Sequence, residues 1–300
     1  MKWRMMMIGF LVLTLSAYAE HRFEGGLHGG LAGWNASTVY VSPQAGFHGG
    51  GHIYYACLAP RIIGVRTGVT LDCHNASFGR QDYSDTYSTR DIDNLRMDIS
   101  YTIASLRETY TTWSVGIPLQ VAFHYRPFMF LIGPKAVFPL AGSWHQTVNH
   151  AALSVYYPDY DNLVEDSYPL GASRDFSIAN RGRLTPPKVQ WWLAMEFNYS
   201  FTLNYWARNY RSYLIVGAYF NYGFTPFRPA SGNTTSLLML TDTRDGLPLQ
   251  RVLTPVMEAN RQGQKLISEG RLFDVGIKIS YAIAPFKPHK EAYINCHCKR

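Results

Sequence analysis

The sequence predicts an all-β chain, an eight-stranded antiparallel transmembrane β-barrel with long extracellular loops. Three observations predict it: eight segments of alternating apolar and polar residues, an N-terminal export signal, and connections that switch between short and long. Residues 189–203 carry the clearest alternation. Val189, Trp191, Leu193, Met195, Phe197, Tyr199, Phe201 and Leu203 are apolar, and the residues between them are small or polar except Trp192. Successive strand side chains point to opposite faces, so this segment has one greasy face and one wet face. Strands of soluble sandwiches also alternate but average about 5–6 residues. A tilted strand crossing lipid needs roughly 9–11, and this run supplies them.

The remaining segments follow in order. Residues 23–35, 44–57 and 62–75 give three weaker alternations at the start of the chain. Residues 113–123 set Trp113, Val115, Ile117, Leu119, Val121 and Phe123 against Ser114, Gly116, Gln120 and Ala122. Residues 128–142 give a fifth, weaker strand, and 189–203 the sixth. Residues 214–224 place Leu214, Val216, Ala218, Phe220, Tyr222 and Phe224 opposite Gly217, Tyr219, Asn221 and Gly223. The last segment sets Phe273, Val275, Ile277, Ile279, Tyr281 and Ile283 against Asp274, Gly276, Lys278, Ser280 and Ala282. An even count suits a single-chain barrel. Leu95, Met97, Ile99, Tyr101 and Ile103 also alternate, in phase with residues 113–123. Either the fourth strand extends far above the membrane, or a further hairpin raises the count to ten. Eight is preferred, because ten needs a strand for which no segment is at hand.

Connection lengths set the orientation. Tight turns are expected at Leu58-Ala59-Pro60, Tyr125-Arg126-Pro127 and residues 206–209, and long polar loops near 77–112, 145–187 and 226–270. Residues 36–43 form a short outer connection. Short periplasmic turns and long extracellular loops place both termini in the periplasm.

The N-terminus agrees. Lys2 and Arg4 precede an apolar run over residues 5–15, and Ala17-Tyr18-Ala19 is a small-x-small cleavage site. Residues 1–19 therefore read as a signal peptide cleaved after Ala19, residues 20–285 as the barrel and 286–300 as a short periplasmic tail. No cysteine stands at the expected mature terminus, so no lipid anchor is expected there. With no later apolar run long enough for a helix, export leads to the outer membrane of a Gram-negative cell, since only helices and closed barrels satisfy backbone groups in lipid. Aromatic residues make up 15% of the chain and charged ones only 16%, below the roughly 25% of a soluble domain. The formal charge is +7, but the basic residues are scattered, so no nucleic-acid partner is expected.

The inward positions define the expected interior. Glu24, Asp72, Glu196 and Asp274 oppose Arg66, Lys135 and Lys278, with His28, His48, His52 and His124 also facing in. An eight-stranded barrel is just wide enough for its own side chains, and buried charges must pair. An ion-paired structural core is therefore expected; a proton path or metal site is the alternative.

Several stretches resemble the OmpA-type outer-membrane β-barrel family. These are Arg66-Thr67-Gly68-Val69, residues 113–120, Ile132-Gly133-Pro134-Lys135, Tyr156-Tyr157-Pro158-Asp159-Tyr160 and residues 217–223. Within residues 274–281, Asp274, Gly276, Ile279 and Tyr281 resemble the C-terminal strand signal read by the barrel-assembly machinery. Many members carry a peptidoglycan-binding domain after the barrel, whereas only residues 286–300 follow here, so peptidoglycan tethering does not carry over. The resemblance implies a barrel-only structural or surface protein with outer-membrane lipid around it.

No catalytic, cofactor-binding or metal residue is assigned. Cys296-His297-Cys298 has metal-ligand types but supplies one pair where a closed zinc site wants four ligands. Cys57 and Cys73 read as lipid-facing free thiols. A rim-located lipid-modifying acylase or protease is the rival class, with His74 and Ser77, His145 and His150 with Ser154, and the acidic run Asp159, Asp161, Glu165 and Asp166 as its only material. No nucleophile–base signature surrounds them. An accessory role in protein secretion, or a small pore, is a further alternative. The loops hold Tyr83, Tyr87, Tyr110, Tyr156, Tyr157, Tyr160 and Tyr168, a composition suited to contact with a host or surface ligand.

Overall fold

The computed structural model describes residues 19–59, 62–90, 94–125, 127–160, 162–164, 176–184, 189–204, 210–226, 235–243, 247–261 and 264–285. Eight long strands close on themselves: β1 (Glu20–Thr38), β2 (Ser42–Leu58), β3 (Ile63–Arg90), β4 (Arg96–Tyr125), β5 (Phe128–Tyr157), β6 (Gln190–Thr202), β7 (Tyr210–Gly223) and β8 (Ile267–Pro285). Each pairs antiparallel with the next. The ring shuts where β1 meets β8, in one unbroken register from Phe23 opposite Ile283 to Ser37 opposite Glu269. Closure pairs both edges of every strand within the ring, while β3 past Gly79 pairs with β4 alone. The chain is an eight-stranded antiparallel β-barrel, and residues 1–18 of the expected signal peptide and all of the expected tail lie outside the described residues.

Alternation decides the two faces. Outward positions form an apolar belt on every strand, from Phe23, Leu27 and Leu31 on β1 to Val275, Ile277 and Ile279 on β8. Leu27 is 72% exposed and Ile277 65% exposed. In water so much apolar surface is a liability; against lipid it is what a barrel wall needs. Cys57 and Cys73 are free thiols on this wall, and Cys73 stands opposite Gly49, well away from Cys57.

Beyond the belt the barrel is lopsided. β3, β4 and β5 run for 28, 30 and 30 residues, against 13 for β6 and 14 for β7. Residues 77–90 and 96–112 of the expected second loop instead continue β3 and β4, and 145–157 continue β5; among the described residues of the second loop no further hairpin is inserted. The belt on β4 covers residues 113–125, so more than half of that strand rises above it. Phe176–Arg183 adds a strand against β5.

One line across these three strands reverses which alternate residues face in. Below it, Ala76 and Phe78 on β3, Leu106, Glu108 and Tyr110 on β4, and Trp144 and Val148 on β5 are buried. Above it, burial passes to Tyr83 and Asp85, to Met97, Ile99, Tyr101 and Ile103, and to Ala151, Leu153 and Val155. The line runs through Asp82, Ala104 and His150, and Asp82 and His150 have positive φ angles of 53° and 52°. Single left-handed residues re-aim the side chains that follow, as in a β-bulge. Met97, Ile99, Tyr101 and Ile103 therefore leave the outward phase of residues 113–123 and turn inward.

There they meet the third long connection. Leu237, Leu238, Leu253, Val256, Met257, Ala259 and Leu266 pack with both buried sets, and with Trp34, Trp192 and Leu272 at the barrel mouth, in one hydrophobic cluster. Each fully buried large apolar side chain contributes about 1.5–3 kcal/mol. The result is a canopy with its own core, not a set of solvated loops. Tyr83 and Tyr110, expected on the contact surface, are each only 2% exposed; Tyr160 is exposed, and Tyr168 lies outside the described residues.

Candidate functional site

Two regions gather chemistry-bearing side chains: the barrel interior and the canopy. In the interior the residues stand in two layers. The lower layer, nearer the short turns, holds Glu24 on β1, Arg66 on β3, Glu196 on β6 and Lys278 on β8. Arg66 donates from Nη2 to Glu196, from Nη1 to Glu24 at 3.4 Å, and from Nε and Nη2 to Gln120 at 3.1 and 2.7 Å. Lys278 Nζ lies 2.9 Å from Glu24 Oε1 and 2.5 Å from Glu196 Oε2. The Tyr54 ring covers this quartet, with the Arg66 guanidinium 4.1 Å from its centroid. Two cations and two carboxylates balance.

The upper layer does not balance. Asp72 and Asp274 face the single ammonium of Lys135, which donates to Asp72 Oδ2 at 2.7 Å. Histidines surround them. His28 Nε2 is 2.8 Å and His48 Nε2 3.5 Å from Asp72 Oδ1. His74 Nε2 is 3.0 Å from Asp274 Oδ2, and His48 stacks on His74 with centroids 4.3 Å apart. His48 Nδ1 shares a 2.8 Å hydrogen bond with the Tyr219 hydroxyl. Gly116 leaves the space that the Lys135 stem occupies, since a Cβ there would stand 2.2 Å from Lys135 Cε. Two groups, His28–His48–Asp72 and His48–His74–Asp274, bring three ligand atoms together closely enough to hold a metal ion. Beside the layers, a void of about 20 Å³ borders His28, Lys135 and Tyr219, room for about one water.

All seven ionisable residues assigned to the interior from the sequence lie there and touch one another or a histidine. His124 is half-buried and stands apart from these layers, its Nε2 3.0 Å from the Ala59 carbonyl oxygen. His74, placed at the rim by the sequence reading, is instead inside; it continues the inward alternation of Thr70 and Asp72. Tyr54, Gln120 and Tyr219 were missed as interior partners, although their inward parity was readable. Asp274 and Gly276 of the C-terminal strand signal face inward, whereas Ile279 and Tyr281 sit in the outer belt.

The canopy carries a second set. Glu108 is fully buried; its carboxyl accepts the Val256 backbone N–H at 3.1 and 2.9 Å and the Tyr110 hydroxyl. Burial without a cation pushes its pKa up to about 8. Asp85 is also raised by burial, although it accepts the Thr86 N–H at 2.8 Å and the Tyr101 hydroxyl at 3.3 Å. Above it opens a groove of about 280 Å³, floored by Tyr101 and Leu153 and bordered by Ser84, Ser100, Ser154 and Arg261. Arg261 stacks over Tyr40 at 4.4 Å.

The serines and His145 considered for a rim enzyme meet other partners. Ser77 Oγ pairs with Thr109 Oγ1 at 2.9 Å, His145 Nε2 with Thr147 Oγ1 at 3.4 Å, and Ser154 Oγ with the Ser100 carbonyl at 3.5 Å. Asp161, Glu165 and Asp166 lie outside the described residues.

No family model matches the chain, and no curated protein does. Among solved structures, the attachment invasion locus protein Ail of Yersinia pestis, in complex with the heparin analogue sucrose octasulfate, is 8% identical, with a TM-score of 0.26 over 89% of this chain and 99% of that one. Ail of Yersinia pestis determined without that ligand gives the same identity and coverage at a TM-score of 0.25. A Salmonella type III secretion secretin, InvG, gives 11% identity and a TM-score of 0.11 over 96% of this chain and 67% of that one. Superpositions this loose carry no argument, and the fold rests on the closed strand ring itself.

Proposed function

We propose that the chain is an outer-membrane β-barrel with a structural and surface-interaction role, presenting its canopy to the outside of the cell, and that it catalyses no reaction. The canopy is the observation that carries this reading. A barrel that served only as a membrane anchor needs strands long enough to cross lipid, yet β3, β4 and β5 run far past the belt and enclose a hydrophobic core of their own. That construction holds the polar and aromatic groove of Tyr101, Ser100, Ser154 and Arg261 on paired strands above the belt, as recognition surfaces require. The paired lower layer of the interior acts as a plug that makes bulk diffusion unnecessary to the account. On this reading outer-membrane lipid surrounds the belt, and the barrel-assembly machinery reads Asp274, Gly276, Ile279 and Tyr281 during insertion.

The test is attachment of intact cells to host cells or to one another, comparing a deletion strain with complemented strains. Wild type restores attachment; the double variant Ser100→Trp and Ser154→Trp, which fills the groove without touching the buried core, restores the heat-shifting barrel band but not attachment. Unchanged attachment in the deletion strain overturns the surface role. Altered lipid A or surface-peptide masses in that strain support the envelope-enzyme rival, and lost export supports a secretion role.

A further inference from the structure

We infer that the upper layer of the interior is a divalent transition-metal site, with His28 Nε2, His48 Nε2 and Asp72 Oδ1 as its three protein ligands. Four features of the layer point there. First, charge: Asp72 and Asp274 share one ammonium, so with neutral imidazoles the layer holds an excess negative charge in a buried setting, which a bound cation would offset. Second, an unsatisfied atom: His48 is 2% exposed, and its Nε2 has no hydrogen-bond partner. It faces Asp72 Oδ1 at 3.5 Å, so either a nitrogen lone pair opposes a carboxylate or an N–H stops short of one. An ion between them resolves both cases.

Third, spacing. Ligands about 2.0–2.1 Å from a tetrahedral zinc stand roughly 3.3 Å from each other. The Asp72 oxygen lies 2.8 Å from His28 Nε2 and 3.5 Å from His48 Nε2, on either side of that value. Fourth, the outer contacts are those of ligating residues. His48 Nδ1 is engaged by Tyr219 at 2.8 Å, His28 Nδ1 stands 3.3 Å from His52 Nδ1, and Asp72 Oδ2 accepts Lys135 and Thr70, each at 2.7 Å. Each ligand is thus held by its far atom, while the near atoms of His28 and Asp72 are bonded to each other at 2.8 Å, the contact that an ion would replace. The void of about 20 Å³ that borders His28 and Lys135 has room for one water on the His28 side of the ion. The second triad is weaker, because His48 approaches Asp274 through Nδ1, at 3.6 Å, and that nitrogen is already bonded to the Tyr219 hydroxyl at 2.8 Å. Imidazole and carboxylate together suit zinc and its neighbours nickel and copper over calcium or magnesium.

The experiment refolds the full chain into detergent with Zn²⁺ or with EDTA, removes free metal, and measures zinc per chain beside a heat-modifiability gel. The wild type is expected to retain about one zinc per barrel. The double variant Cys296→Ser and Cys298→Ser is expected to keep it, which separates the interior from the tail. His48→Gln and Asp72→Asn are expected to lose affinity by more than about tenfold while still giving the folded band. Should His48→Gln fail to fold, His28→Gln serves in its place. Cobalt substituted into the wild type gives the visible bands of a four-coordinate nitrogen–oxygen site, without thiolate charge transfer. A folded wild-type barrel that holds no zinc overturns the site, as does zinc that survives His48→Gln or disappears with the two cysteines.

Discussion

Replacing Glu108 by Gln isolates a buried carboxyl of the canopy that has no cation near it among the described residues. Glu108 stands above the belt on β4, accepting the Val256 amide and the Tyr110 hydroxyl. Its pKa rises from an ordinary 4.5 to about 8 on folding, chiefly through burial, with Glu258 adding repulsion against the lowering effect of the Val256 N–H. A raised acid favours the protonated folded form. Its contribution is therefore fully present below about pH 4.5, is lost as pH climbs towards the folded value, and is gone above about pH 8. The displacement corresponds to about 5 kcal/mol at most, or about tenfold in the opening constant for each pH unit inside that window. Hydrogen exchange of the Val256 amide reads this, once corrected for intrinsic exchange. Protection in the wild type is expected to fall steeply from about pH 5 to about pH 8 and then level off, whereas Glu108→Gln, which keeps a carbonyl for the amide, loses most of that slope. Identical pH dependence in the two proteins, or protection that rises with pH only in the wild type, refutes the reasoning.

Other outcomes follow from the same structure. Arg66→Ala leaves Glu24 and Glu196 with one cation between them and is expected to cost about 3–5 kcal/mol, seen as a lower urea midpoint of the folded band. Ile277→Arg, in the middle of the outer belt, is expected to destabilise the barrel in lipid by roughly 2–4 kcal/mol. The exposed canopy change Thr86→Arg should stay within about 0.5 kcal/mol, and equal effects at the two positions would place the belt wrongly. Oxidation should leave Cys57 and Cys73 unlinked, since Cys73 is registered with Gly49; a cross-linked product in mass spectrometry contradicts that register.

How much the sequence reveals differs by region, for physical reasons. The wall is legible because lipid demands an apolar residue at every second position, and Trp113 to Phe123 or Phe273 to Ile283 meet that demand without interruption. The inward set follows from the same parity, which is why Glu24, Arg66, Asp72, Lys135, Glu196, Asp274 and Lys278 could be named together. Their partners could not. His48 meets Tyr219 across 171 residues, a contact that exists only after the ring closes. The canopy hid for another reason. Met97, Ile99, Tyr101 and Ile103 keep the phase of the belt, and what turns them inward is the line through Asp82, Ala104 and His150. Aspartate and histidine adopt left-handed backbone only occasionally, so neither marks a reversal as a glycine would. A one-residue change of phase moves every later side chain to the other face, and residues that looked like loop became core.

The central claim is a folded eight-stranded barrel whose interior is filled by its own side chains. Planar-bilayer conductance of the refolded full chain, run beside a heat-modifiability gel, tests it most directly. The account predicts a heat-shifting band with negligible conductance. Steady, large single-channel steps from the same preparation contradict it, because they require an open path through the layers of Arg66 and Asp72.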